Sequence, residues 1–170
     1  MIQRSTHQPS GKAALYNFLL NELLASQAVR NYEFWVLSPW VTNFPLDRPY
    51  HVTFGELVST RHEDLHLFDV LRQIAANGGQ VRITIGDDSR YYAPLRALRD
   101  QSARINVRVH YRLHAKAYVG RYGAVAGSLN LTNGGVNQNA EIYGYAHDAH
   151  SIAQLRQQCV EHHERGEPLS

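Results

Sequence analysis

The chain has 170 residues, a formal net charge of +2 at neutral pH and an apolar fraction of 44%, the size and mix of one soluble globular domain spanning residues 1–170. No run of about 18 apolar residues occurs, and the start, Met1 to Gly11, is polar, so neither a membrane span nor an export signal is expected. Cys159 is the single cysteine, which excludes an internal disulfide, a multi-thiolate zinc cage and a redox cysteine pair and fits a reducing cytoplasm.

The segment Lys12 to Arg30 carries Leu15, Phe18, Leu19 and Leu23 at helical spacing with Ser10 placed to cap it, which predicts an amphipathic helix. Tyr32 to Leu37 reads as a strand. Ser38 to Thr60, with Pro39, Pro45 and Pro49 among polar and aromatic residues, reads as one long irregular loop. A helix from about His62 to Ala76 places Leu65, Phe68, Leu71 and Ile74 on one face and stops at Asn77, Gly78 and Gly79. Val81, Ile83 and Ile85 then alternate as a strand, a short helix is expected around Pro94 to Asp100, and Ile105, Val107 and Val109 form the next strand. Leu113 to Val119 and Ala124 to Gly127 read as a hairpin turning at Gly120 to Gly123. A loop from Thr132 to Asn139, a strand from Glu141 to Ala146 and a helix from His150 to Glu164 close the chain. Helices and strands alternate first and strands cluster later, so the expected fold is α/β, a mixed sheet sandwiched between helices.

Charge is spread unevenly. Between Arg82 and Arg121 nine basic residues face three acidic ones, an excess of six positive charges that would attract a polyanion unless it is simply a solvated face.

The chain has fifteen arginines and two lysines, Lys12 and Lys116, so a lysine within a predicted strand stands out. Lys116 lies two residues after His114, and residues two apart in a strand share a face. A lysine ammonium is a compact charge suited to a single phosphate oxygen, and a histidine suits nucleophilic and proton-transfer work near neutral pH. Beyond the hairpin stand Gly127, Ser128 and Asn130, then Asn139 and Glu141. These residues offer a nucleophile, a cation, hydroxyl and amide donors, and a carboxylate able to orient an imidazole.

His114-Ala-Lys116, Gly127-Ser128-Leu-Asn130-Leu-Thr132 and Asn139-Ala-Glu141 together resemble the phospholipase D superfamily and its histidine-lysine motif, above all its small single-motif, nuclease-like members. The resemblance is clearest over residues 111–145. It implies that His114 is the nucleophile in one subunit and the general acid in the other. It also implies that Lys116 and Asn130 hold the nonbridging phosphate oxygens, that Ser128 supports that pocket and that Glu141 orients His114. Two departures are visible: Arg121 stands where the family motif has an aspartate, and the spacing from His114 to Ser128 is one residue shorter than in the nuclease-like members.

The resulting expectation is a metal-independent phosphodiesterase, a nuclease for DNA or RNA, acting without a cofactor through a phosphohistidine in a homodimeric site. Single-motif chemistry needs a nucleophile and a separate acid on opposite sides of phosphorus, and two-fold pairing supplies both. Some similar small proteins belong to phage-defence or DNA-modification complexes. The alternatives are a phospholipid-directed phosphodiesterase and a catalytically silent nucleic-acid-binding subunit. His62-Glu-Asp-Leu-His66 matches a zinc-hydrolase pattern, but a charged residue inside it and its place at a helix start favour an ordinary first turn. Trp35, Trp40, Phe44 and Phe54 offer a base-stacking platform, against which core packing or a subunit interface is the commoner use of most such residues.

Overall fold

The computed structural model of the protein describes residues 1–6, 9–59 and 64–170. Its framework is one eight-stranded mixed sheet of strands β1 (Ile2–Ser5), β2 (Glu33–Leu37), β3 (Gln80–Ile85), β4 (Ile105–Val109), β5 (Ala117–Val119), β6 (Ala124–Gly127), β7 (Ile142–Ala146) and β8 (Glu167–Pro168), in the order β1-β7-β6-β5-β2-β3-β4-β8. Strands β2, β3 and β4 run parallel, and every other pairing is antiparallel.

Alternation along the strands sorts side chains to two cores. Phe34 and Val36 of β2, Val81, Ile83 and Ile85 of β3, Tyr118, Val125 and Tyr143 enter the larger one. There they meet helices α1 (Pro9–Ala28), α2 (Arg48–Gly55), α3 (Leu67–Ala76) and α4 (Tyr92–Arg99). Trp35 and Leu37 of β2, with Ala117, Val119, Ala124 and Ala146, face helix α5 (Ala149–Arg165) through Ile152 and Cys159. The sheet is therefore sandwiched between helices, as expected. Each fully buried aromatic or aliphatic side chain in these layers contributes roughly 1.5–3 kcal/mol.

The expected long loop after β2 contains helix α2. Pro49, which argued for irregular structure, sits in the first turn, where a proline has no intrahelical bond to lose. Helix α3 begins at Leu67, later than expected, with His66 at its N-cap and its backbone N–H donating to Asp69 Oδ2 at 2.8 Å. Helix α3 thus begins after the zinc pattern, whose first two residues, His62 and Glu63, fall outside the described residues. Helix α1 starts at Pro9, which puts Ser10 inside the helix rather than at its cap. The loop expected at Thr132 to Asn139 contains a wide helical turn at Gly134–Gln138. Strands β1 and β8 were not expected.

On the α5 side, β3 and β4 present polar residues, and α5 covers them by hydrogen bonding. His163 is buried, with Nδ1 2.9 Å from Thr84 Oγ1 and Nε2 2.9 Å from Asn106 Oδ1. Because an amide oxygen only accepts, Nε2 carries the proton and Nδ1 takes one from Thr84. Trp35 packs edge-on at 5.6 Å.

Burial, reinforced by the Arg108 and Arg82 guanidiniums, pushes the His163 imidazole down to about 4 from its ordinary 6.5. A folded value below the unfolded one means that the unfolded chain binds the extra proton. The contribution of His163 is then complete above about pH 6.5 and is lost as pH falls towards 4. Urea unfolding of the wild type at pH 7.5 and pH 5 is expected to show lower stability at pH 5. His163→Gln is expected to flatten that difference while costing about 1–3 kcal/mol at pH 7.5.

Candidate active site

The reversal from parallel to antiparallel pairing assembles the site. Strand β2 ends where β5 begins, with Leu37 opposite Ala117, so Lys116 comes to rest beside Ser38. Gly127, at the end of β6, donates its N–H to Lys116 O at 3.3 Å, and Ser128 donates its N–H to Ile142 O at 2.9 Å. The motif residues thus meet at one sheet end, beside the C-terminal ends of β2 and β3. Added to Gly127, a Cβ would lie 2.6 Å from Tyr143 Cα, so only glycine admits this approach between β6 and β7.

The strand expected from Leu113 is shorter: residues 113–116 are irregular and the ladder starts at Ala117. The physical reason lies in β2, whose partner role stops at Leu37 because Ser38 turns its N–H to Thr84 O and Pro39 has none to offer. His114 and Lys116 nevertheless line one cleft of about 810 Å³ together with Ser128, Asn130, Gly127, Trp40, Asp87 and Asp88. The imidazole of His114 is exposed, and Lys116 is partly buried with Nζ donating to His114 O at 2.7 Å. Desolvation lowers the Lys116 ammonium from its ordinary value, an effect that the nearby Glu141 carboxylate opposes.

Asn130 is buried beneath the cleft, and Ser38 Oγ donates to its Oδ1 at 3.1 Å. That contact leaves the Asn130 amide N–H groups for an acceptor in the cleft, the orientation needed to hold a phosphate oxygen. Ser38 is fully buried. Its hydroxyl also lies 2.8 Å from Trp40 O and 3.4 Å from the hydroxyl of Tyr118, which donates to Leu129 O at 2.6 Å.

Among the described residues, Glu141 engages Ser128 and Asn139, not the His114 ring. Ser128 Oγ donates to Glu141 Oε2 in a short hydrogen bond, and Asn139 Nδ2 donates to Oε1 at 3.2 Å. Its backbone is pinned by Thr6, whose N–H donates to Glu141 O at 3.0 Å and whose Oγ1 accepts from Glu141 N at 3.0 Å. Sequence reasoning missed Ser38, Thr6, Asp87 and Asp88 as parts of the site and named Trp40 only among four candidate stacking residues.

The departure at Arg121 has a structural counterpart. Arg121 contributes its backbone N–H to buried Glu22 Oε2 at 2.6 Å, and Tyr122 contributes its own to Oε1 at 3.0 Å. The Tyr32 hydroxyl completes the set at 2.9 Å. Burial raises Glu22 above the usual carboxylate range, against the pull of these donors. A helix α1 carboxylate thus fixes the hairpin turn whose strands carry Lys116 and Gly127.

The arginine-rich stretch is largely structural. Arg82 pairs with Glu33 and Arg90 with Asp88, while Arg96, Arg99, Arg104 and Arg108 donate to backbone carbonyls of Ser170, Leu169, Gly78 and Gly166. The excess positive charge therefore does not gather over the cleft.

A helix-covered mixed sheet with a histidine, lysine, serine and asparagine converging at one strand end defines a phospholipase D-like domain. The sequence matches the family described as "Cardiolipin synthase, PLD-like domain" over residues 52–162, and the chain belongs to that phosphodiesterase family. Similar solved structures include Nuc from Salmonella typhimurium, a phospholipase D family member, with a TM-score of 0.60, 14% identity and coverage of 98% of this chain and 95% of that one. NucT from Helicobacter pylori gives 0.64 and 12%, covering 98% and 96%. TrmBL2, an archaeal chromatin protein with a novel mode of DNA binding, gives 0.58 and 12%, covering 99% of this chain and 53% of that one. Comparison with curated proteins gives no match. At these identities the structural likeness speaks for the fold.

Ser38→Ala removes the donor that orients Asn130 and leaves its buried Oδ1 unpaired. The expected outcome is a loss of about 1–3 kcal/mol in urea unfolding. A fall in phosphodiester turnover of roughly tenfold, with KM little changed, is the signature of support given mainly in the transition state.

Proposed function

We propose that this protein is a nuclease-type phosphodiesterase that cleaves DNA or RNA through a covalent phosphohistidine on His114, in a site completed by a second copy of the chain. The observation that carries this reading is the convergence of His114, Lys116, Ser128 and Asn130 on one cleft. In the first step an imidazole nitrogen of His114 attacks phosphorus. A P–N bond forms, the P–O bond to the leaving group breaks, and His114 of the second copy protonates the departing oxygen. In the second step water attacks phosphorus, gives its proton to that second histidine and releases His114. Lys116 and the Asn130 amide stabilise the charge on the nonbridging oxygens, and Ser128 with Glu141 keeps the wall of the pocket in place. The contact proposed between Glu141 and an imidazole belongs to the assembled dimer.

This chemistry needs no metal. Histidine, lysine, serine and asparagine are poor ligands for the hard divalent cations that metal-dependent nucleases recruit with clustered carboxylates. Of the acids near the cleft, Asp88 is tied to Arg90 and Glu141 to Ser128 and Asn139, which leaves Asp87 as one carboxylate and not a cluster among the described residues.

A phospholipid-directed reading has one observation in its favour, the cardiolipin-synthase description of the matching family. It is decided by offering the protein labelled single-stranded DNA, duplex DNA, RNA and anionic phospholipid vesicles beside a His114→Ala control. A protein that turns over none of them would instead be the silent binding subunit. A place in a phage-defence or DNA-modification complex would show as co-purifying partners in the native host.

Cleavage is expected to persist in excess EDTA and to leave acid-labile, base-stable label on His114 during turnover. Activity abolished by chelator and restored by magnesium or zinc, without label, would overturn this mechanism. Specific activity is expected to fall on dilution below the dimer dissociation constant.

Lys116 must be protonated to act, and burial lowers its proton affinity. Lys116→Arg is expected to lower kcat by about a hundredfold or more, the scale of losing one transition-state donor.

A further inference from the structure

We infer that the wall of the cleft opposite the phosphate-binding residues is a nucleobase subsite, formed by Trp40 and Asp87, which selects unpaired nucleotides. The inference rests on the nuclease reading and deepens it.

Of the four aromatic residues around β2 and the following segment, Trp35, Phe44 and Phe54 are buried in the cores, whereas Trp40 is 43% exposed and lines the cleft. Its exposure does not come from a loose backbone. Ser38 Oγ lies 2.8 Å from Trp40 O, Gly86 N–H donates to Pro39 O at 3.0 Å, and Thr42 N–H donates to Leu131 O at 2.9 Å. One face of the indole rests on Tyr91, with ring centroids 6.4 Å apart and planes at 27°. Tyr91 is backed by Arg90 at 5.7 Å, and Arg90 is held by Asp88. A large apolar ring is thus buttressed on one side and left open on the cleft side, the arrangement of a stacking platform.

Asp87 supplies the second observation. It is exposed on the same cleft wall and has no ion-pair partner among the described residues. A free carboxylate repels phosphate, so its use in a phosphodiester cleft lies elsewhere. It can accept from an exocyclic amino group of cytosine or adenine. The cleft then has a phosphate end at His114, Lys116, Ser128 and Asn130 and a base end at Trp40 and Asp87. A base in a duplex has its faces stacked and its pairing edge engaged, so a single-stranded nucleotide fits and a paired one does not. With most arginines of the 82–121 stretch engaged in the fold, stacking carries a large share of the affinity.

The test uses His114→Ala protein, which binds without turnover, and compares oligo(dC) with an abasic oligomer of equal length and phosphate count. Oligo(dC) is expected to bind about tenfold to a hundredfold tighter, from roughly 1–3 kcal/mol per stacked base. Adding Trp40→Leu is expected to shrink that ratio to about twofold or less, and Trp40→Phe to keep most of it. Asp87→Asn is expected to reduce the preference for oligo(dC) over oligo(dT). Melting temperatures of each variant show that it is folded. Equal weakening towards both oligomers, or undiminished oligo(dC) binding by folded Trp40→Leu, overturns the subsite. So does Trp40-dependent binding to phosphatidylcholine vesicles in place of oligonucleotides, which would make the pair a site for a cationic headgroup. Wild-type protein that cleaves both oligomers with equal efficiency, regardless of Trp40, would sink the subsite and leave the nuclease reading standing. Protein that neither binds nor cleaves any nucleic acid sinks both.

Discussion

The pairing of Leu37 with Ala117 is the constraint on which the site depends. It joins the parallel half of the sheet, whose helical crossovers bring chain segments to the C-terminal strand ends, to an antiparallel half built from a hairpin and its neighbours. Because β5 runs against β2, the start of one lies beside the end of the other. The parallel half delivers Trp40, Asp87 and Asp88, and the antiparallel half delivers Lys116, Ser128 and Asn130, to a common cleft. Shifting this register by one residue would turn Trp35 and Leu37 from the α5 side into the larger core. The packing of both layers therefore holds the register that assembles the cleft.

The opposite end of the same strands is fixed by an unusual agent, a carboxylate inside the larger layer. Glu22 collects two backbone donors from the β5–β6 turn and a phenolic hydroxyl from the start of β2. Its elevated proton affinity shows that burial outweighs those three donors. Gly120 belongs to the arrangement, since any Cβ there would run into the Glu22 carboxylate. The turn can thus tolerate Arg121 where the family motif has an acid, because the fold takes a peptide N–H at that position while the anion comes from helix α1.

The sheet, most helices and the residues of the proposed phosphate pocket were legible in the sequence because each is encoded locally. Val81, Ile83 and Ile85 alternate, Gly120 to Gly123 mark a turn, and His114, Lys116, Ser128 and Asn130 lie within seventeen consecutive positions. The remainder depends on contacts between distant segments. Strand β1 carries no alternating pattern and exists through its partner β7, and β8 through β4. Glu22 reads as one more polar residue of an amphipathic helix, and Ser38 as the start of a loop. Glu141 stands out in the sequence through the resemblance, whereas its hydrogen bonds with Ser128 and Asn139 come only from the folded structure. The arginine excess was visible as a count. The directions of those side chains were not, and strand and helix geometry send most of them to backbone carbonyls and to Glu33 and Asp88.

That redistribution sharpens the electrostatics of the proposed reaction. Two charges 4 Å apart interact by about 1 kcal/mol in bulk water and about 4 kcal/mol at the effective dielectric of a protein surface cleft. A cluster of solvated arginines would act at the weaker end of that range and would be screened by salt. Lys116 is partly desolvated, which lowers its proton affinity but strengthens its field on any anion that it touches. Glu141 offsets part of the desolvation through its charge, while Ser128 and Asn139 hold that carboxylate on the wall rather than in the path of a phosphate. Placing one cation in a shaped, half-dry cleft, with an amide fixed beside it by Ser38, favours a transferring phosphoryl group over a passive polyanion. In the proposed reaction the same logic calls for a second copy, since the described residues bring one such ammonium and one such imidazole to the cleft, whereas displacement at phosphorus needs a nucleophile and an acid on opposite sides.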